Sequence, residues 1–445
     1  MRRPRPTTPV HLTAVLLALA TLSACTPTST PTPDTRPADQ SSRLIVVASG
    51  RDVTDGTRQR LIDAWNARQG ADGYQAQLVE LPGSADQQRG QLLGALQSGS
   101  ASYDVVNLDV TWVPEFADAD LVQPLPQSAV SDAGDIVEAV DETSMWDGKR
   151  YAVPFNSDVG LLYYRRDHVG DLRAGAGWDD VLDEIDALNR ARPPGWKAGW
   201  TTQLAPYEGR TVNAVEAFSS AVEGLEITDG RGRYRATEEQ LGKGVAELKR
   251  RALSAYVLPH AYTSNEDASL SDFTQGQTSF LRNWPYAYPA LRAAFKDRLG
   301  VAPLPGKAVL GGQNLAMTRS VSGEKALRAT ELIRFLTDDD SERCLLEAGF
   351  AATRRSSYDE ATRCTHVDRS TGEGAAQNAR TPDQIHFTRD ILLPALGNAV
   401  QRPRTPLYGA VTQTLIDELG PLFDSRTDAS GVAAALHEAL ERELP

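Results

Sequence analysis

Sulfur and histidine are scarce: the chain has three cysteines, three methionines and six histidines in 445 residues. No C-x-x-C pair occurs and the histidines are scattered, so the ligand spacings of a zinc or redox site are missing. Basic charge is also short. Lys and Arg number 46 against 59 Asp and Glu, for a net charge of −13. Such a balance argues against nucleic acid or an anionic membrane surface as partner. Past residue 24 no apolar run is long enough to span a bilayer as a helix. There is no internal repeat and no Gly-rich phosphate loop, because "GSADQQRG" (83–90) lacks the Lys-Ser/Thr that would follow one. Aromatic residues make up only 7% of the chain, yet "FLRNWPYAYPAL" (280–291) holds four of them, Phe280, Trp284, Tyr286 and Tyr288. Pro285 excludes ordinary helix interior at Trp284 and leaves the loop extended.

The N-terminus has a transported protein's layout. Arg2, Arg3 and Arg5 precede "LTAVLLALATLSA" (12–24), an apolar run of signal-peptide length. "LSAC" (22–25) resembles the lipobox of bacterial lipoproteins, which implies residues 1–24 as signal peptide and lipid on Cys25. The Thr/Pro/Ser-rich residues 26–42 offer nothing to bury and are expected to form a disordered linker. Outside the cytoplasm, the two remaining cysteines, Cys344 and Cys364, most simply pair. His366, two residues from Cys364, is expected to be incidental surface.

Folded structure is expected from residue 43. "LIVVAS" (44–49), "QAQLVELP" (75–82) and "YDVVNLDV" (103–110) have strand patterns, separated by the helical "TRQRLIDAWNARQG" and "ADQQRGQLLGALQSG". This β-α-β-α-β order predicts a parallel sheet flanked by helices, with ligand chemistry at the carboxyl ends of the strands. Asp52 and Asp109 lie at such ends. Aspartates 338–340 are placed to cap a helix running into "SERCLL". Extended segments near 151–155 and 301–305 divide the chain into two lobes, residues 43–152 with 306–345 and residues 153–305 with 346–445, with a hinge where the chain crosses.

Six segments carry a resemblance in order: "YDVVNLDVTWVPEFADADLVQPL", "YAVPFNSDVGLLYYRRD", "FTQGQTSFLRNWPYAY", "GVAPLPG", "GGQNLAM" and "GFAATRRSSYDE". Together they resemble the bacterial extracellular solute-binding proteins for sugars, nearest the trehalose/maltose type that feeds ABC importers. The resemblance implies a two-lobed α/β fold of the type II periplasmic-binding-protein kind, each lobe a mainly parallel sheet flanked by helices. It implies ligand contacts from Asp52, Asp109, Asn156, Asp158, Trp284, Tyr286, a backbone turn at Gly312, and Arg402 with Arg404 as its neighbour. Gln313 stands where the family has a tryptophan, so one stacking wall becomes an amide.

Elementary chemistry agrees with such a set. A sugar presents an apolar C–H face to an aromatic ring and a rim of hydroxyls to carboxylates and guanidinium forks. Asp109 could also cap a helix beginning near Thr111, and Arg402 could be a surface charge. Phe280, Tyr288, Tyr163 and Tyr164 read as core. The expectation is a monomeric, membrane-tethered receptor that binds a sugar without a cofactor and hands it to permease subunits. The alternatives are an extracytoplasmic glycosidase, which needs two carboxylates across a scissile bond, and a receptor for another solute such as a polyamine.

Overall fold

Strand β1 (Leu44–Gly50) forms from an apolar, β-branched run and pairs in parallel on both sides, as a strand covered on two faces must. The computed structural model to which it belongs describes residues 43–51, 56–100, 102–360, 363–367 and 381–445. Helix α1 (Thr57–Gln69) follows, stopping at Gly70, and then β2 (Gln75–Leu81), α2 (Ala85–Ser98) and β3 (Val105–Asp109). At the start of α2 Ser84 N donates to Gln87 Oε1 at 2.9 Å, and Gly99 closes the helix in the left-handed conformation. Asp52 and Cys25 lie outside the described residues.

The chain then builds β4 (Ala152–Val159) and β5 (Leu161–Arg165), followed by α3 (Trp178–Ala191), β6 (Ala198–Thr201), α4 (Glu208–Ala221), α5 (Glu238–Arg251) and α6 (Glu266–Thr274). Next come β7 (Thr278–Asn283), α7 (Ala287–Phe295), β8 (Leu299–Pro303) and β9 (Leu310–Met317). Helices α8 (Gly323–Leu336), α9 (Asp339–Ala348), α10 (Tyr408–Leu419) and α11 (Ala429–Glu443) complete the longer elements. Asp338 caps α9 by accepting from Ser341 N at 2.8 Å.

Two large sheets result, with strand orders β2-β1-β3-β9-β4 and β8-β5-β7-β6, beside a short two-stranded one of Met145–Trp146 and Lys149–Arg150. Most strands in each large sheet run one way. The exceptions are β9 in the first and β5 in the second, the strands reached when the chain crosses between sheets. The first crossing is the single residue Gly160, and the second is 304–309. Residues 153–159, read from sequence as part of the second lobe, lie in the first sheet because β4 pairs with β9. Phe350 and Val367, past the expected boundary at 345, also pack with the first sheet's core around Ile45, Val47 and Val105.

The second sheet's core contains Tyr163, Tyr164, Phe280 and Tyr288, all buried. A third cluster joins α4, α5, α10 and α11. Cys344 and Cys364 are disulfide-bonded, with Cα atoms 4.6 Å apart. The His366 side chain is 7% exposed, with Nε2 3.0 Å from Asp338 and Nδ1 2.6 Å from Asp340. It is therefore not incidental surface. No helix among the described residues is long and apolar enough to cross a membrane.

Candidate functional site

Strand register brings three expected residues side by side. Gln313 of β9 lies opposite Asp109 of β3 on one side and Asn156 of β4 on the other. Two residues earlier on β9, Gly311 lies opposite Asp158. The "GGQN" segment is strand rather than the expected turn, with a register shift after Gln313. Gly312 has φ +116°, and a Cβ there would come within 2.4 Å of the Asn156 carbonyl oxygen. Glycine is required for both reasons.

Asp109 has two roles at once. Its Oδ1 accepts from Thr111 N and Oγ1 at 3.0 and 2.9 Å, turning the chain at the strand end. The same oxygen accepts from Arg402 Nη2 at 2.7 Å. Arg402 is buried, not a surface charge, and its Nη1 donates to Glu208 Oε1 at 2.6 Å. Tyr408 and Thr412 of α10 also donate to Glu208. Burial pushes the Glu208 carboxyl up despite Arg402, and Asp109 adds to the rise. Burial works against the Arg402 charge, but Asp109, with Tyr408 and Glu208, holds it protonated. Arg404 does not join this group: its Nη2 donates to the Met145 carbonyl.

Gln313 is not a free amide. Its Oε1 accepts from Arg58 Nη2 and, at 3.3 Å, from Asn107 Nδ2. Arg58 also donates to Asn156 Oδ1 at 3.0 Å and Ser49 Oγ at 3.1 Å. The position where the family stacks a ring thus belongs to a polar network anchored by a buried arginine. Asn156 Nδ2 is buried and has no hydrogen-bond partner.

Trp284 follows β7 and is partly exposed. The loop is a turn rather than extended, because Ala287 N donates to the Trp284 carbonyl at 3.1 Å and Tyr288 N to Pro285 at 2.9 Å. Tyr163 Oη also donates to the Trp284 carbonyl, at 2.9 Å. A Cβ on Gly311 would lie 3.2 Å from Asp158 Cβ and 3.3 Å from the Trp284 ring. The glycine therefore lets carboxylate and ring approach across one backbone. Asp158 Oδ1 is buried without a hydrogen-bond partner. Burial raises its pKa to about 7, with Arg58, Arg282 and Arg402 opposing and Asp109 reinforcing. Tyr286, partly exposed beside this pair, has its hydroxyl pushed up by burial and then by Glu266 and Asp267. Among the described residues, no three His, Cys, Asp or Glu are grouped to hold a metal ion.

A family model for bacterial extracellular solute-binding proteins matches residues 61–367. The chain belongs to that family. A "probable ABC transporter-binding protein" of Deinococcus radiodurans is 28% identical over 315 residues, 66% of this chain and 72% of that one. Maltose-bound MalE3 of T. maritima superposes with a TM-score of 0.72 at 23% identity, covering 90% of this chain and all of that one. The GacH receptor of Streptomyces glaucescens gives 0.71 at 20% identity over 90% and 98% of the two chains. The fold is therefore the two-lobed one of these binding proteins, and the family places this member outside the cytoplasm in solute import.

Several residues of this solute-binding protein's site were not singled out from sequence: Arg58, Asn107, Glu208 and Arg282. Arg58 and Glu208 sit in helical stretches where a charge reads as solvated. Their partners are 98 to 255 residues away for Arg58 to Asn156 and Gln313, and 194 for Glu208 to Arg402. Arg282 did carry a signal: it is a lone charge inside the apolar run "SFLRNW".

Proposed function

We propose that this solute-binding protein captures a sugar, a disaccharide such as trehalose or maltose, between its lobes and delivers it to the permease of an ABC importer. The observation that carries the reading is the juxtaposition of a partly exposed Trp284 ring with Asp158, whose buried Oδ1 lacks a partner, across Gly311. A sugar supplies what both groups want, a C–H face and a hydroxyl donor. Asp109, Asn156, Tyr286, Gly312, Gln313 and Arg402 shape the remaining wall, and Asp52 belongs to it by sequence position. The relative solved as MalE3 is maltose-bound, which supports the ligand class. The lobes meet at Gly160 and at 304–309. The protein works as a monomer tethered by lipid on Cys25 and has no catalytic role.

Thermal shift and calorimetry against maltose, trehalose, a monosaccharide and spermidine test the ligand class, since a tight ligand raises apparent stability by mass action. A shift with sugar alone supports the reading. A shift with spermidine alone overturns it. Asp158, with a pKa near 7, also has the property of a glycosidase's acid. Its prospective partner Asp109 is, however, already engaged by Arg402 and Thr111. Disaccharide recovered unchanged after incubation favours the receptor, and turnover favours the enzyme.

A further inference from the structure

Beneath the Trp284 ring lies the buried ion pair of Arg282 on β7 and Glu216 on α4, whose side chains are 1% and 2% exposed. Two hydrogen bonds make it a fork: Nη2 to Oε1 at 2.6 Å and Nε to Oε2 at 3.1 Å. The Arg282 guanidinium carbon is 3.8 Å from the centre of the Trp284 ring, within cation–π range. The same pair also touches both crossings between the sheets. A Cβ on Gly160 would fall 2.3 Å from Glu216 Oε1 and 2.9 Å from Arg282 Nη2, so the first crossing runs directly over the pair. At the second crossing, Val309 N donates to Glu216 Oε1 at 3.2 Å. Two residues on, Gly311 meets the Trp284 ring.

A buried ion pair is a poor device for stability alone, because desolvating two charges offsets most of their attraction. This one connects three parts that a closing receptor must coordinate: the stacking ring and both crossings. We infer that Glu216 and Arg282 are positioning residues for ligand capture, holding the Trp284 ring in place and tying its occupancy to the backbone of both crossings. The inference rests on the sugar reading for its binding arm but not for its spectroscopic one. When a ligand settles on the free face of the ring, any tilt of the indole moves Arg282. Arg282 cannot move without Glu216, and Glu216 holds the crossings. Gly160 is glycine for want of room between backbone and pair.

Three variants test this from different sides: Arg282→Met, Glu216→Gln and Gly160→Ala. Gly160→Ala crowds the pair without altering any group that faces ligand. The first readout needs no ligand. Emission and acrylamide quenching of Trp284 are isolated by subtracting the Trp284→Phe counterpart of each protein. The second is the dissociation constant for maltose or trehalose, whichever the wild type binds. All three variants are expected to shift the Trp284 difference spectrum and to weaken sugar binding tenfold or more. Arg282→Lys, which keeps the cation under the ring, should recover the spectrum more than the affinity. If Arg282→Met or Glu216→Gln fails to fold, Gly160→Ala and Arg282→Lys carry the test. Folded variants with an unchanged Trp284 spectrum and wild-type affinity overturn the inference. Wild type that binds neither sugar defeats the sugar reading instead, while the spectral arm still decides whether the pair positions the ring.

Discussion

Trp284 and Asp158 are the residues on which the ligand reading turns, and each makes a measurable claim. Truncating an aromatic anchor at a binding hot spot costs about 2 kcal/mol or more, or roughly thirtyfold in affinity. Trp284→Ala should lose that much toward the bound sugar by calorimetry while keeping its unfolding midpoint close to wild type, because the ring is partly exposed. Asp158 adds a pH dependence. Its folded pKa of about 7 lies above the ordinary 3.8, so the native empty protein holds a proton that the unfolded chain has released. Stability of the empty protein should therefore fall as pH rises from about 4 through about 7, and Asp158→Asn should flatten that slope. A hydroxyl donating to Asp158 favours the carboxylate, so sugar binding should release a proton below pH 7. Calorimetry in buffers of different ionisation enthalpy reads that release directly. Gln313 shows where reading residues one at a time stops. Its departure from the family's tryptophan is visible in the sequence, but its engagement by Arg58 and Asn107 depends on a helix and a strand 255 and 206 residues away.

At the scale of elements, the βαβαβ start was legible because its strands are short apolar runs and its helices are bounded by glycine and serine. The helical middle of the chain was not, because Glu208 and Glu216 are charges that one helix, α4, buries, whereas a charge in a helical stretch reads as solvated. Helix α9 illustrates both sides. Its Asp338 cap follows from the run of aspartates, whereas the clasp that Asp338 and Asp340 form on His366 needs the fold to bring residue 366 back. Burial disfavours the imidazolium, but the hydrogen bonds it donates to both aspartates outweigh it and raise the pKa to about 9 from 6.5. Arg68, whose Nη2 is 2.7 Å from Nδ1, faces the ring and opposes the charge. The clasp's stabilisation should be complete below pH 6.5 and disappear as pH rises through about 9, a loss that His366→Gln should not show in urea unfolding. The adjacent disulfide closes a loop of 20 residues. Cys364→Ser should lower stability by about 3 kcal/mol, the loss expected when a loop of this size is no longer closed in the unfolded chain.

For the whole molecule, the order of six motifs foretold two lobes, while the point of exchange was misplaced by several residues. The reason is physical: a strand's pattern says that it is buried, not which sheet buries it. "YAVPFNSDVGLLYYR" reads as one extended unit, yet Gly160 splits it between two sheets. Tethering also belongs to this scale. With Cys25→Ala the receptor should appear in the soluble fraction or persist as an unprocessed precursor on immunoblots. Retention on membranes at wild-type level would count against lipidation.

The position of β9 has a consequence for how the molecule is made. The strand that joins β3 to β4 is residues 310–317, so the growing chain carries its first sheet in two pieces until that strand is made. Until some 310 residues have emerged, β3 and β4 each present an open edge, and open edges invite pairing with other chains. Synthesis from N- to C-terminus therefore delivers the candidate site in unfinished halves, Asp109 on one edge and Asn156 with Asp158 on the other. Whatever escorts the emerging polypeptide must shield those edges until Gln313 arrives between them.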